Sequence, residues 1–324
     1  MDVGTLTITI VVILAACALA VGFVLVRLQT RRAEAEHPPV GRFVIVDGAK
    51  IHYIEKGSGT TVVLIHGTGV TAEDYVASGV VDKLSRRHRV IAFDRPGYGY
   101  SERQGRGWSA AAQAELLQKA CTQLGIKRAI VVGHSWGTLV ALEIGLRFPQ
   151  RMLGLILVSG YYFPTPRVDS LLLGIPAIPV IGTAMRHTIS PLVGRIVTPP
   201  MIRRMFSPDP VPQAFLDRVP LTIMLRPTQL RASAEDAARM VPTAAELASR
   251  YGELRVPIAI IAGTDDGIVK SDGQSSRLVE TLPHCDFEVI PHAGHMVHHS
   301  HADHIVSAVK EMSRQTSSQT AGAT

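Results

Sequence analysis

From Thr5 to Val26 the chain carries no charged residue and is dominated by Val, Ile, Leu and Ala. At 1.5 Å per residue such a run reaches about 33 Å, the thickness of a bilayer's hydrocarbon core, so residues 1–28 are expected to form a transmembrane anchor. Arg27, Arg31 and Arg32 follow at once, whereas the N-terminal flank offers only the α-amine against Asp2. The positive-inside rule then places the globular part in the cytoplasm. A cleaved signal peptide is the competing reading, but Met1 to Gly4 lacks the basic start that such peptides carry. Leu14-Ala15-Ala16-Cys17 also has the form of a lipidation site that would make Cys17 the mature N-terminus. The apolar run nevertheless continues to Val26, further than a lipid tether needs. Either competing reading would export the domain.

Residues 29–41 are polar and contain prolines, the composition of a linker. Short β-rich segments follow at Phe43–Val46, Ile51–Glu55, Val62–Ile65 and Val90–Phe93. Asp47-Gly48 between the first two is a hairpin signal. Ala129–Val132, Leu153–Val158, Pro257–Ala262 and Phe287–Ile290 are further strand-like runs, and helical spacing appears over Trp108–Leu124, Leu139–Phe148 and Ala302–Met312. Strands alternating with helices, several of them unbroken apolar runs, predict an α/β domain over residues 42–312 with a mostly parallel sheet. Residues 160–254 break the pattern, being rich in proline and arginine with helical apolar segments, and are expected to be a cap inserted after the sixth strand. Within it, Leu171–Met185 is interrupted by Pro176 and Pro179, too short and broken to span a bilayer, and reads as an irregular apolar lid. Residues 313–324 are rich in Ser, Thr, Gln, Ala and Gly and are expected to be disordered.

A chain of 324 residues can bury one large core. Its net charge of +6 is spread along the sequence without a dense basic block, which argues against nucleic-acid binding. Cys17, Cys121 and Cys285 are scattered and odd in number, so neither a disulfide framework nor a zinc site is indicated.

The chemistry begins at Gly133-His134-Ser135-Trp136-Gly137, a G-x-S-x-G frame between a buried strand and a helix. Glycines two before and two after a serine permit a turn tight enough to thrust its hydroxyl out above the sheet. A serine hydroxyl is a poor nucleophile until a base takes its proton and a third group orients that base. Suitable partners lie downstream, at the exits of two late strands: Gly263-Thr264-Asp265-Asp266-Gly267-Ile268-Val269, then Pro291-His292-Ala293-Gly294-His295.

With these motifs the chain resembles the α/β-hydrolase fold superfamily over residues 42–312, in its serine branch of esterases and lipases. His66-Gly67-Thr68-Gly69 resembles the family's oxyanion loop, and Asp94-Arg95-Pro96-Gly97-Tyr98-Gly99-Tyr100-Ser101 its D-x-x-G-x-G-x-S turn. The resemblance implies an eight-stranded sheet and a triad of Ser135, His295 and Asp266, with neighbouring Asp265 as the alternative acid. It also implies oxyanion donors at the backbone N–H groups of Trp136 and Thr68, with Gly69 as a nearby substitute. Asp94 is expected to fix its turn, and His66, Gly67, His134, Gly133 and Gly137 to shape the loops around the nucleophile. The histidines at 292, 295, 298, 299, 301 and 304 lack the glutamate of a H-E-x-x-H site, so no metal is expected; those other than His295 are expected to line the start of a solvated helix. No cofactor is implied.

A serine at position 135 excludes branches that need a carboxylate nucleophile and leaves acyl chemistry. An anchor and an apolar lid favour a lipophilic ester. The alternatives are a C–C bond hydrolase or cofactor-free perhydrolase on the same triad, and, in another class, a catalytically silent ligand-binding protein of this fold.

Overall fold

The computed structural model describes residues 2–105, 107–166, 173–282 and 284–321. Its centre is one sheet of eight strands: β1 (Arg42–Val46), β2 (Ala49–Lys56), β3 (Thr61–Ile65), β4 (Arg89–Phe93), β5 (Ala129–His134), β6 (Met152–Val158), β7 (Ile258–Gly263) and β8 (Asp286–Ile290). They lie in the order β1-β2-β4-β3-β5-β6-β7-β8. β1 and β2 form an antiparallel hairpin, β2 runs antiparallel to β4, and the pairings from β4 through β8 are parallel. The hairpin turn has φ of 50° at Asp47 and 82° at Gly48, the left-handed pair that matches the twist of its strands.

The unbroken apolar runs are legible because both faces of the central sheet are covered. In β3 every residue is buried. Val63 and Ile65 join a core with Leu117, Leu139 and Leu142 on one face, while Val62 and Leu64 join Tyr75, Leu84 and Ile305 on the other. This period-two division of one strand between two cores is what a buried parallel sheet requires. Each fully buried side chain of this kind contributes about 1.5–3 kcal/mol.

The helices around the sheet include α1 (Val3–Glu36), α2 (Glu73–Ala77), α3 (Ala110–Gln123), α4 (Gly137–Arg147), α5 (Ile181–His187), α6 (Ser190–Phe206), α7 (Pro227–Ala248), α8 (Val297–Ser300) and α9 (Ala302–Ala321). α3 and α4 cover one face of the sheet, and α9 packs on the other. α5, α6 and α7 belong to the cap between β6 and β7, at the place in the chain where an insertion was expected.

Three expectations are corrected. The linker over 29–41 is largely helix, since α1 continues to Glu36 and only residues 37–41 connect it to β1. Its last turns are rich in the helix formers Ala, Arg and Glu, Arg32 pairs with Glu36 at 2.7 Å, and Val26 and Ala33 are buried. The tail expected to be disordered is helical as far as Ala321, because α9 is anchored through Ile305, Val309 and Met312 and no glycine or proline interrupts it before Gly322. The apolar segment expected as a lid lies on the outside of the cap. Leu171 and Leu172 are outside the described residues; Gly174 packs against Ala238 on α7, and Val180 and Ile181 are exposed.

The C-terminal half of α1 rests on the cap. Gly22 approaches Thr188, the Phe23 and His187 rings are 6.0 Å apart, and Glu34 pairs with the buried Arg226 at 3.0 Å. The Tyr100 hydroxyl donates to the carbonyl of His37, just past the helix end.

Candidate active site

β5 leads into the turn that carries Ser135. The residue adopts φ of 52°, a left-handed conformation that side chains rarely take and that tight packing on both sides enforces. A Cβ at Gly133 would come within 2.7 Å of the Gly137 carbonyl oxygen, and one at Gly137 would run into the carbonyl of Ile65. Ser135 N–H donates to Val158 O at 2.9 Å, and its own carbonyl accepts from the Thr138 hydroxyl at 2.6 Å, which stitches the elbow to β6 and α4.

The loops after β7 and β8 bring Asp266 and His295 to it. Ser135 Oγ lies 3.0 Å from His295 Nε2, and His295 Nδ1 lies 2.8 Å from Asp266 Oδ2. The other carboxylate oxygen, Oδ1, accepts from the N–H groups of Ile268 and Val269, both at 2.8 Å. With one oxygen held by two backbone donors, the acid presents the other to the imidazole. The His295 and Asp266 side chains are 2% exposed, whereas Ser135 is half-buried and remains approachable. Asp265 points elsewhere: its side chain is 43% exposed and lies 3.7 Å from His292. The chain of contacts is that of a base able to take the serine proton and an acid able to fix its tautomer and balance its charge.

Opposite the elbow lies the His66–Gly69 loop. Arg95, fully buried, donates to the carbonyls of His66 at 2.9 Å and Gly67 at 3.0 Å. Arg95 N–H donates to His66 Nε2 at 2.9 Å, and the His66 Nδ1–H donates to the Gly67 carbonyl at 2.7 Å. Burial, assisted by the Arg95 charge, lowers the His66 pKa to about 4, which keeps the ring neutral and able to accept. The loop is thus held beside Ser135, close enough that a Cβ at Gly67 would lie 3.1 Å from the Ser135 Cβ. Trp136 opens α4, where the first N–H groups have no intrahelical acceptor and the helix dipole favours negative charge.

The supporting residues are accounted for by contacts. Asp94 accepts from His52 Nδ1 at 2.7 Å, Ala72 N–H at 2.7 Å and Tyr100 N–H at 2.9 Å, so it ties three segments together. Burial opposes its ionisation, yet these donors, His52 foremost, pull its pKa below the usual carboxylate value. His134 Nε2–H donates to the carbonyl of His295 at 3.0 Å. Burial, with His298 and His295 close by, holds the His134 pKa well below its ordinary value.

Two features escape a reading of sequence alone. Asp236, on the buried face of α7, pairs with Arg95 at 2.8 Å and accepts from the Tyr98 hydroxyl at 2.6 Å, while its carbonyl accepts from the Trp136 indole at 3.1 Å. The polar positions Gln229 and Asp236 inside the helix's alanine-rich buried stripe were the available signal. The second corrects an expectation: His298 and His299 do not line a solvated helix. His298 is buried and His299 half-buried with its side chain turned inward, and they donate to the two oxygens of Asp74 on α2 at 2.8 and 2.7 Å. Among the described residues these three have ligating atoms near enough together to hold a metal ion, but their N···O separations are those of hydrogen bonds. Burial works against the Asp74 charge, and the two histidines outweigh it, so its pKa stands well below the ordinary value.

The profile of the Alpha/beta hydrolase family matches residues 62–309, which contain all of these groups except His52. The chain belongs to that family and is a hydrolase. A 2-hydroxy-6-oxononadienedioate/2-hydroxy-6-oxononatrienedioate hydrolase of Paraburkholderia phymatum is 27% identical over 265 residues, covering 78% of this chain and 87% of the relative. Among solved structures, an esterase from Thermogutta terrifontis superposes with a TM-score of 0.68 at 21% identity, covering 85% of this chain and 99% of the esterase. A bacterial membrane phospholipase A superposes at 0.65 with 19% identity and covers 97% of this chain and 99% of its own.

Proposed function

We propose that the protein is a membrane-anchored serine hydrolase that cleaves a carboxylic ester, and that the ester is lipophilic. The observation that carries the reading is the unbroken line from Ser135 Oγ through His295 to Asp266, at 3.0 and 2.8 Å. Ser135 attacks the carbonyl carbon while His295 Nε2 takes its proton, and Asp266 holds the imidazolium that results. The oxyanion so formed is met by the backbone N–H groups of Trp136 and Thr68, an arrangement worth several kcal/mol in a site shielded from water. His295 returns the proton to the leaving alcohol, and the acyl-enzyme is released by a water that His295 deprotonates in turn.

The lipophilic substrate and the anchor are supported by α1, whose first turns stand exposed and apolar, and by the fold of the membrane phospholipase A, whose match over 97% of the chain includes this helix. Orientation rests on charge: Arg27, Arg31 and Arg32 favour a cytoplasmic domain, out of reach of protease added outside the cell.

The similarity to the Paraburkholderia enzyme favours one other reading, cleavage of a C–C bond by the same triad. Purified enzyme assayed on p-nitrophenyl esters of increasing chain length and on a vinylogous 1,5-diketone separates the two. Ester turnover that rises with chain length and vanishes in Ser135→Ala is the expected result; turnover of the diketone alone would transfer the assignment to the second reading.

A further inference from the structure

The outer surface of the cap differs from the rest of the folded domain. Among the described residues outside α1, exposed large apolar side chains concentrate between Leu173 and Met201. Val180 is 80% exposed and Ile196 77%, and Ile181, Ile189, Val193 and Val197 are exposed beside them. α6 is turned both ways: Pro191, Gly194, Ile202 and Phe206 face the protein, while Val193, Ile196 and Val197 face out. A contiguous apolar surface left in water marks a place where something else makes contact.

Charge and position indicate what that is. Residues 170–208 contain no Asp or Glu but include the exposed arginines Arg195, Arg203 and Arg204, with Arg186 buried. Apolar side chains interspersed with arginine and free of carboxylates match the boundary of a bilayer with anionic headgroups. The same elements touch α1 at a defined height. Gly22 faces Thr188, between α5 and α6, closely enough that a Cβ at this glycine would lie 3.5 Å from the Thr188 side chain, and Val26 lines a cavity of about 330 Å³ with Pro191, Arg195 and Leu225. If Thr5–Val26 spans the hydrocarbon, Gly22 to Val26 is its last turn, about 6 Å from the headgroups. The α5–α6 junction then sits at the interface.

We propose that the outer face of α5 and α6 enters the same leaflet from which α1 emerges, so that the enzyme grips the bilayer at two places and its cap is held against lipid. This rests on the reading of α1 as a membrane anchor. The test uses the full chain in nanodiscs of phosphatidylcholine and phosphatidylglycerol. A single environment-sensitive NBD label is placed at Ile196→Cys in a Cys17→Ala, Cys285→Ala background, at Val289→Cys on the far edge of the sheet in the same background, or at native Cys17 with Cys285→Ala. Quenching by acyl-chain doxyl lipid is compared with quenching by aqueous iodide, and hydrolysis of a soluble ester checks that each labelled protein is folded.

The expected result is a blue-shifted label at 196, quenched by doxyl lipid and shielded from iodide, with the reverse at 289. Iodide quenching at 196 equal to that at 289 would overturn the proposal. Shielding of 196 from both quenchers would overturn it too, since a second copy of the chain would then cover the face. Doxyl quenching at Cys17 without quenching at 196 removes the cap contact and leaves the anchor; loss at both positions removes the anchor reading and the cap contact with it.

Discussion

Asp265 and Asp266 carry the same functional group one peptide apart, and only the fold separates them. The Asp266 side chain is 2% exposed and bonded to His295, whereas that of Asp265 is 43% exposed beside His292. Replacing Asp266 with asparagine keeps the shape and removes the charge, and its amide nitrogen would turn a donor towards His295 or break the two-amide clamp. A fall in kcat of about 10³–10⁴ is expected for Asp266→Asn, the scale seen when a triad acid is neutralised, with Asp265→Asn close to wild type. Steady-state kinetics on a soluble ester would show it, and equal losses in the two variants would assign the acid wrongly. The order of serine, acid and histidine was legible because each follows the end of an apolar strand. His298 and His299 were not, because their partner Asp74 lies more than 220 residues away in sequence and no local pattern reports it.

At the scale of elements, strands were the most legible parts, since a strand buried on both faces has to be an apolar run. The ends of α1 and α9 were misread because polar residues continue a helix when the preceding turns are anchored by packing, which composition alone does not show. The most consequential element is α7, whose Asp236 is the buried counter-ion of Arg95, and Arg95 in turn holds the carbonyls of His66 and Gly67. The pair joins cap to core through the site. Removing one member of a buried ion pair leaves the other desolvated and unpaired, at a cost of about 3–5 kcal/mol. Asp236→Ala should therefore lower stability by about that amount in urea unfolding, with ester hydrolysis reduced even where the variant is folded. Stability equal to wild type would mean that Arg95 is satisfied without the cap.

At the scale of the molecule, the chain is a hydrolase domain with a long apolar helix leaned against its cap. A polar linker was expected where Glu34 meets Arg226 and Ala33 is buried, and no contact with the cap was expected for Val26 in the anchor. A rigid junction fixes the height of the cap relative to the helix, whereas a linker would leave it free. Acyl chemistry on any substrate class requires the nucleophile. Full-length protein treated with a fluorophosphonate should gain the mass of one phosphonyl adduct, mapped by peptide analysis to Ser135, and Ser135→Ala should gain none. Labelling of Ser135→Ala equal to wild type, or no adduct on the folded wild-type protein, would contradict the assignment of Ser135 as the catalytic serine.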